Sequence, residues 1–217
     1  MTSPAFTPGT TLVNPFNRET FIFTKPENPE VAEFEAPLGP GGSGGGNALA
    51  HIHPKADEEF KVRSGRLHVS VAGVVHALGP GQTMVVPRGT AHFFTNAHEG
   101  DTELVIRFRP GQNHLRFFFA FATATQTHPE WFGAKGEPKL LGMALALHTY
   151  RDHLYLAGPP IWLQKVVFAV LSPLARLVGY RAWETAPEGQ PECRLVDNRD
   201  HGPARPRAGW GRLWENS

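Results

Sequence analysis

Two stretches of this chain decide its fold: residues 45–65 read GGNALAHIHPKADEEFKVRSG, and residues 81–96 read GQTMVVPRGTAHFFTN. In the first stretch, His51 and His53 are one residue apart in a predicted strand. Because side chains alternate between the two faces of a strand, we expect both imidazoles on the same face. Two nitrogen atoms on one face can bind one ion, so this pair is the first part of a candidate metal site.

The acidic run that follows contains three possible ligands, Asp57, Glu58 and Glu59. Residues 58–62 alternate between apolar and charged side chains, which predicts a second strand after a polar turn. Glu58 shares one face with apolar side chains, whereas Glu59 shares the other face with lysine and arginine, which is typical of the solvent side. Parity therefore favours Glu58 as the ligand and assigns Asp57 to the turn.

The second stretch adds a third histidine. Residues 84–86 predict a short buried strand, and the turn that follows contains Gly89, which permits a positive φ. This turn places His92 at the start of a strand of residues 92–96, with Phe94 and Asn96 on the same face.

Together these residues make a candidate ligand set of His51, His53, Glu58 and His92. A lone histidine on an apolar strand is more often a hydrogen-bonded core residue than a ligand, but here four candidates converge. Imidazoles with one carboxylate suit one divalent transition metal ion: Fe(II), which we favour, or Mn(II), Ni(II), Cu(II) or Zn(II). About two positions of a six-coordinate ion would stay open for reactants. Glu58 is also the candidate catalytic base.

The fixed positions of both stretches resemble the two conserved motifs of the cupin superfamily, and none is missing. The matching residues are Gly45, His51, His53, Glu58 and Gly65 in the first motif, and Gly81, Pro87, Gly89, His92 and Asn96 in the second. The resemblance covers the middle third of the chain. It implies a mainly β, single-domain (monocupin) jelly-roll barrel with the metal inside, and a structural role for Asn96.

The strands around the motifs predict an apolar cavity. Its candidate substrate-binding residues are Phe60, Val62, Phe94, Asn96, Ile106 and Phe108. Such a lining suits a small hydrophobic or aromatic substrate better than a sugar or a phosphate. The register of the last strand stays open at this point, because its other face would bring Arg107 into the cavity as an anchor for an anion.

The chain divides into four zones: N-terminal strands and the approach to a glycine-rich loop at 1–40, the barrel at 41–112, a helical extension at 113–185, and an irregular tail at 186–217. The glycine run at 39–46 predicts a flexible rim loop and lacks a phosphate-binding signature.

The net charge of +1 gives no reason to expect nucleic acid as a partner. A single cysteine and no signal-peptide pattern favour the cytoplasm.

Periodicity predicts three helices in the extension: Asn113–Thr125 with Asn113 as a possible cap, Pro138–Leu154, and Ile161–Tyr180, which Pro173 kinks or splits. His148 and His153 are interpreted as surface or capping groups.

The third predicted helix is apolar nearly all round, except for a polar stripe of Lys165, Ser172 and Arg176. Its charges argue against a transmembrane span. Burial against the barrel or in a homodimer is the favoured interpretation. A lid over the barrel mouth and contact with a membrane surface are the alternatives.

Three functions compete for such a site. The first is an Fe(II)-type dioxygenase or other oxidoreductase acting on a small hydrophobic or aromatic molecule. The second is a non-redox isomerase, lyase or decarboxylase that uses the metal as a Lewis acid. The third is a non-catalytic small-molecule-binding protein. The fold alone does not separate them.

Overall fold

The computed structural model of the protein describes residues 6–43 and 49–181. Its strands are, in chain order, β1 (Thr10–Asn14), β2 (Glu19–Phe23), β3 (Ala32–Glu35), β4 (His51–Ile52), β5 (Asp57–Ser64), β6 (Leu67–Val71), β7 (Val74–Leu78), β8 (Thr83–Val86), β9 (His92–Asn96), β10 (Glu103–Arg109) and β11 (Tyr155–Leu156). Its α-helices are α1 (His114–Thr127), α2 (Leu140–Thr149) and α3 (Ile161–Leu177), with a 3-10 turn at Pro129–Trp131.

These strands form two antiparallel sheets, in the orders β1-β2-β3-β10-β5-β8 and β11-β4-β9-β6-β7. The sheets enclose a core to which alternate residues contribute, such as Phe21 and Phe23 in β2 and Phe60 and Val62 in β5. This alternation is expected for strands with one face on a core. The architecture is the mainly β jelly roll that the two motifs imply, followed by a helical extension.

The register of β10 answers the question that the sequence left open. Ile106 pairs with Phe60 of β5 and is buried. Arg107 is turned to the outer face, where its guanidinium contacts the carboxylates of Glu33 and Glu59 on the two neighbouring strands. Arg107 therefore does not reach into the barrel.

Several predicted strands are confirmed, among them residues 67–71, 74–78, 92–96 and 103–109. The prediction of a buried strand at residues 84–86 is wrong in its burial, since Val85 is 53% exposed. The reason is topological, because β8 is the last strand of its sheet. The short strands β3 and β11 were not predicted.

Helix α1 covers the strands β1, β2 and β3. Its bounds agree with the prediction to within two residues, but the side chain of Asn113 makes no capping hydrogen bond. The run of phenylalanines stabilises this helix by packing: the ring of Phe118 lies 5.0 Å from that of Phe34, centroid to centroid. Buried aromatic pairs of this kind add to the energy of area burial.

Helix α2 is shorter than predicted, ending at Thr149 rather than Leu154. The chain then turns through Asp152, whose φ of 70° is left-handed and incompatible with a helix. It continues into β11, where Leu156 pairs with His51 of β4. The helical extension is thereby joined to the second sheet.

Helix α3 is one helix, and Pro173 lies inside it without dividing it. Its buried residues are Gln164, Phe168, Ser172 and Ala175. Ser172, one of the three residues of the polar stripe, is therefore on the buried face. Large apolar side chains point to solvent instead, including Trp162 at 68% and Val170 at 66% exposure. No helix in the described part of the chain is both long and apolar enough to cross a membrane.

The predicted rim loop includes residues 44–46, and the predicted irregular tail covers residues 186–217. Both lie outside the described residues.

Candidate metal centre and pocket

Four side chains meet at one end of the barrel: His51, His53, Glu58 and His92 each offer a ligand atom, and these atoms all lie within 4.8 Å of one another. Strand pairing explains the meeting. His51 of β4 pairs directly with His92 of β9, and their ring centroids are 4.5 Å apart. The rings of His51 and His53 are 5.0 Å apart, and Glu58 enters from β5 of the other sheet.

Each of the three imidazoles is anchored through Nδ1 to a backbone carbonyl. His51 donates to Leu49 at 2.8 Å, His92 to Thr90 at 2.9 Å, and His53 to His153 at 2.5 Å. A carbonyl can only accept, so the proton of each neutral ring is on Nδ1 and the lone pair is on Nε2. This tautomer is the one that metal-binding histidines adopt when a carbonyl orients them.

The carboxylate of Glu58 lies between two of these rings. Its Oε2 is 2.6 Å from Nε2 of His92 and 3.2 Å from Nε2 of His53. Burial by itself would raise the pKa of Glu58, but the neighbouring rings of His53 and His92 hold that pKa well below its usual range. Glu58 is therefore an anion at neutral pH.

The donor set fits a divalent transition metal ion. Nε2 of His53 is buried and has no hydrogen-bond partner among the described residues, although it faces a carboxylate. An orphaned buried nitrogen is costly unless something binds it. Burial and the neighbouring His92 and His53 lower the pKa of His51 to about 3, which keeps its ring in the neutral form that a metal requires.

The neighbouring acids are engaged elsewhere. Asp57 accepts hydrogen bonds from the backbone and side chain of Arg88 at 2.9 and 3.0 Å. Glu59 contacts Arg107 and Arg109 on the outer face of the sheet. Of the three consecutive acids, only Glu58 reaches the cluster.

A mostly apolar pocket opens beside the cluster. Its lining consists of Glu19, Phe21, Ser43, Leu49, His51, Glu58, Phe94, Ile106, Phe117, Phe118, Phe121, Pro138, Met143, Leu147, Leu154 and Leu156. Of the predicted substrate-binding residues, Phe94 and Ile106 are in this lining. Phe60, Val62, Phe108 and Asn96 are not.

Those four residues make packing contacts or hydrogen bonds outside the pocket lining. The ring of Phe60 packs 5.0 Å from that of Phe94, while Phe108 lies 4.9 Å from the ring of His53. Val62 is fully buried in the core. The side chain of Asn96 donates to the carbonyls of Leu38, Gly39 and Gly100 and accepts from Thr102 and the backbone of His98. Asn96 thus holds loops together, in line with the role that the resemblance implies.

Sequence reasoning missed the helical side of the pocket. Phe117, Phe118 and Phe121 of α1 and Met143 and Leu147 of α2 supply a large part of the lining. The phenylalanine run was visible in the sequence, but periodicity alone does not say which surface a helix covers.

Two further histidines lie behind His53. The surface assignment of His153 is wrong, because this residue is 8% exposed and its Nε2 accepts a hydrogen bond from the backbone of Asn113 at 3.2 Å. His114 is fully buried and stacks on Phe108 at 4.2 Å. Burial, together with His53 and His153, lowers the pKa of His114 to about 3. The ring of His114 lies 5.3 Å from that of His53, whereas His153 contacts His53 through its backbone carbonyl, and neither residue joins the cluster.

Glu19 is the other missed residue. It is 4% exposed and lines the same pocket as Glu58. Burial raises its pKa from 4.5 to about 7, against the lowering effect of hydrogen bonds from Asn17 and Ser43. The parity rule that selected Glu58 also applies here, because Glu19 stands two residues before the buried Phe21.

Comparisons with known proteins agree with this fold. The family model of the cupin domain matches residues 36–108. The comparison with curated proteins gave no match.

Solved structures similar to this chain include KdgF from Halomonas sp., with 22% identity over 45% of this chain and 85% of that chain and a TM-score of 0.38. A sugar phosphate isomerase of the cupin superfamily from Silicibacter pomeroyi has 19% identity, covers 42% of this chain and 59% of that one, and gives a TM-score of 0.37. Pac13, a nucleoside dehydratase from Streptomyces, has 14% identity over 51% and 84% of the two chains, with a TM-score of 0.40.

The family match spans both sequence motifs and the strands that bring their residues together. Residues 36–108 of the chain, which the family model matches, are a cupin domain.

Proposed function

We propose that this protein is a metal-dependent enzyme that binds one divalent transition metal ion through His51, His53, Glu58 and His92, and acts on a small hydrophobic or aromatic molecule. The convergence of the four ligand atoms within 4.8 Å carries the proposal. The anchoring of all three Nδ1 atoms to carbonyls supports it, because each ring is held with Nε2 available.

Fe(II) is the ion we favour, and dioxygenase chemistry is the reaction class. A bound iron ion with open coordination positions would act as a Lewis acid and could exchange one electron with a reactant. The chain supplies the rest. Phe94 and Ile106 orient an apolar substrate beside the ion, and the phenylalanines of α1 exclude water from it. Glu58 is the base nearest to the reacting atoms, since it lines the pocket and belongs to the cluster.

One observation favours a second candidate, a non-redox isomerase, lyase or decarboxylase. Such reactions need a group that transfers protons as well as a Lewis acid. Glu19 lines the pocket with a pKa raised to about 7 by burial, which suits proton transfer near neutral pH. A non-catalytic binding protein is the third candidate, and nothing in the pocket favours it over the other two.

Metal content tests the site. Protein produced without added zinc or nickel should contain about one transition metal ion per chain by elemental analysis. The double variant His51→Ala with His92→Ala should lose it. A matched control, His68→Ala with His76→Ala, changes two histidines of the β6–β7 hairpin and should keep the ion. Stoichiometric metal in the His51/His92 variant would overturn the assignment.

Oxygen uptake separates the first two reactions. The metal-loaded protein is supplied with a panel of small phenols and enolisable aromatic ketones in an oxygen electrode. Uptake that depends on the metal and is lost in the His51/His92 variant supports the dioxygenase. Metal-dependent conversion of a compound without oxygen uptake supports the non-redox reaction instead.

We further propose that the chain forms a homodimer through α3. Eight apolar residues at or next to this helix are 37–84% exposed: Trp162, Leu163, Val166, Val167, Val170, Leu174, Leu177 and Val178. Apolar patches of more than a few hundred Å² mark interaction sites, and a standard interface buries about 800 Å² per partner. The polar stripe that anionic lipid would need is interrupted, because Ser172 is buried and Lys165 pairs with Asp152 at 2.8 Å.

Light scattering tests the dimer. The protein should have twice the mass of one chain at low and high salt, and Val170→Asp should yield a monomer. Glu103→Gln, an exposed change in β10, serves as the control. A monomer that floats with anionic liposomes would overturn the homodimer and make α3 a membrane-surface helix. The cytoplasmic location expected from the sequence stays a prediction.

A further inference from the structure

The pocket has two polar regions separated by apolar side chains. The first is the candidate metal centre, represented in the lining by His51 and Glu58. The second consists of Glu19 and Ser43, both buried, at 4% exposure each. A pocket that is otherwise apolar uses its few polar groups to fix the orientation of a ligand.

The length of strand β9 indicates how far apart the two polar regions are. His92 begins this strand at the metal centre, and Asn96 ends it. The backbone N–H of Asn96 donates to the carbonyl of Gly42, which precedes Ser43. Four residues of strand span about 13 Å, so the Glu19 region lies toward the far end of the barrel from His92. Phe94 lies between the two ends in sequence and lines the pocket.

The hydrogen bonds of Glu19 distinguish its two oxygens. Oε2 accepts from the amide of Asn17 at 2.8 Å and from the hydroxyl of Ser43 at 3.2 Å. No hydrogen bond from the described part of the chain reaches Oε1. Because Oε2 is occupied by two donors, a proton on this carboxyl belongs on Oε1, where it can be donated to a ligand.

We propose that Glu19, positioned by Asn17 and Ser43, forms a distal subsite that donates a hydrogen bond from Oε1 to an oxygen acceptor of the substrate, such as a carbonyl or ether. This inference rests on the proposed function, because the metal centre holds the other end of the same molecule. The ligand class is a small molecule with metal-binding oxygens at one end, an apolar or aromatic middle, and a neutral acceptor at the other.

The electrostatics of the pocket support this choice of ligand. Burial of Glu19, with a smaller effect of the charge of Glu58, raises the pKa of Glu19 to about 7, so that its protonated form is available at neutral pH. A second carboxylate on the ligand would meet Glu58 and Glu19 with no cation in the lining. A neutral acceptor avoids this repulsion and satisfies the only free position of the carboxyl.

Two hydroxamate probes test the subsite. 4-Acetylbenzohydroxamic acid carries a chelating head and a distal carbonyl, and 4-isopropenylbenzohydroxamic acid has nearly the same shape without the acceptor. Calorimetry with the metal-loaded full chain gives the affinity of each probe. We expect the acetyl probe to bind about tenfold more tightly, as one extra hydrogen bond allows.

Variants at Glu19 identify the donor. Glu19→Gln should keep the preference for the acetyl probe, because the amide can accept from Asn17 and Ser43 through its oxygen and donate through its NH₂. Glu19→Leu should bind both probes equally. Glu103→Gln, an exposed change in β10, should behave as the unaltered protein. Thermal melting of each variant shows that it is folded.

The outcomes separate this inference from the function on which it rests. Equal, metal-dependent binding of both probes to the unaltered protein would overturn the subsite and leave the metal centre intact. A preference that survives in Glu19→Leu would also overturn it. Probe binding that does not change when a chelator removes the metal would overturn the metal centre and the subsite together.

Discussion

The pocket has two walls of different origin. The barrel wall, from β4, β5, β9 and β10, carries the candidate ligands, and strand pairing places them. The helical wall, from α1, α2 and the segment that leads to β11, is almost entirely apolar. The barrel wall thus holds the four candidate ligands, and the helical wall supplies much of the apolar surface around the pocket.

The two walls are nevertheless connected at the ligands. The carbonyl of His153, in the loop after α2, accepts the hydrogen bond from Nδ1 of His53. The strand β11 pairs with β4, so that Leu156 lies beside His51. The extension therefore braces two of the four ligand side chains, and damage to it is expected to reach the metal centre weakly.

The largest expected effect is on the barrel wall. Glu58→Ala should weaken metal binding on the order of 1000-fold, because it removes a ligand and leaves buried imidazoles without their anion. Glu59→Ala, one residue away on the outer face, should change the affinity by no more than a few fold. Competition with a coloured chelator measures both. If Glu59→Ala is the damaging change, the side of β5 that faces the metal has been misassigned.

On the helical wall, Phe118→Ala should lower the free energy of unfolding by about 2 kcal/mol, through loss of the aromatic contacts of its partly buried ring. Its ring lies 5.0 Å from Phe34 and 5.6 Å from Phe108. Metal affinity should stay within a few fold, because Phe118 contacts no candidate ligand directly. Leu140→Ala, at an exposed position of α2, is the control for urea denaturation and should cost under about 0.5 kcal/mol. Equal losses in both variants would contradict the packing of α1 described above.

Glu19 gives a pH-dependent effect. Its pKa is about 7 in the folded protein and near 4.5 when unfolded, so the folded state binds the extra proton and stability falls as pH rises between these values. Glu19→Gln removes this dependence. The variant should melt at a higher temperature than the unaltered protein at pH 8 and gain less at pH 5, with an upper limit of about 3 kcal/mol from the pKa shift. A gain that is the same at both pH values would show that Glu19 titrates normally.

The smallest expected effect is on metal affinity, and it tests whether the helical extension supports the ligands on the barrel wall. Asp152 has a φ of 70° and forms ion pairs with Lys55 and Lys165, both at 2.8 Å, immediately before His153. Asp152→Ala should loosen this loop and weaken metal binding by several fold, less than the roughly 10–100-fold loss for groups that contact a ligand directly. Glu99→Ala, an exposed change in the loop after β9, is the control. Unchanged affinity in Asp152→Ala would mean that β4 and β9 hold the histidines without help from the extension.

Helices α1 and α3 extend the comparison beyond the pocket. Both sequences are rich in large apolar residues, yet α1 turns its phenylalanines toward the strands and the pocket, whereas α3 exposes Trp162 and Val170. The inner face of α3 includes Gln164, whose side chain bonds to the backbone of Leu156 and Pro159. A polar residue here faces inward because it satisfies backbone groups at the end of β11.

The amino-acid sequence by itself determined the candidate ligands. Alternation with period two is a local property, so parity was enough to separate Glu58 from Asp57 and Glu59, and spacing was enough to place His92 at a strand start. Only the tertiary structure decided which surfaces the helices cover, that Arg107 faces outward, and that Glu19 and His153 lie beside the pocket and the ligands. Those contacts join residues far apart in the chain, and local periodicity contains no information about which distant partner buries a given face.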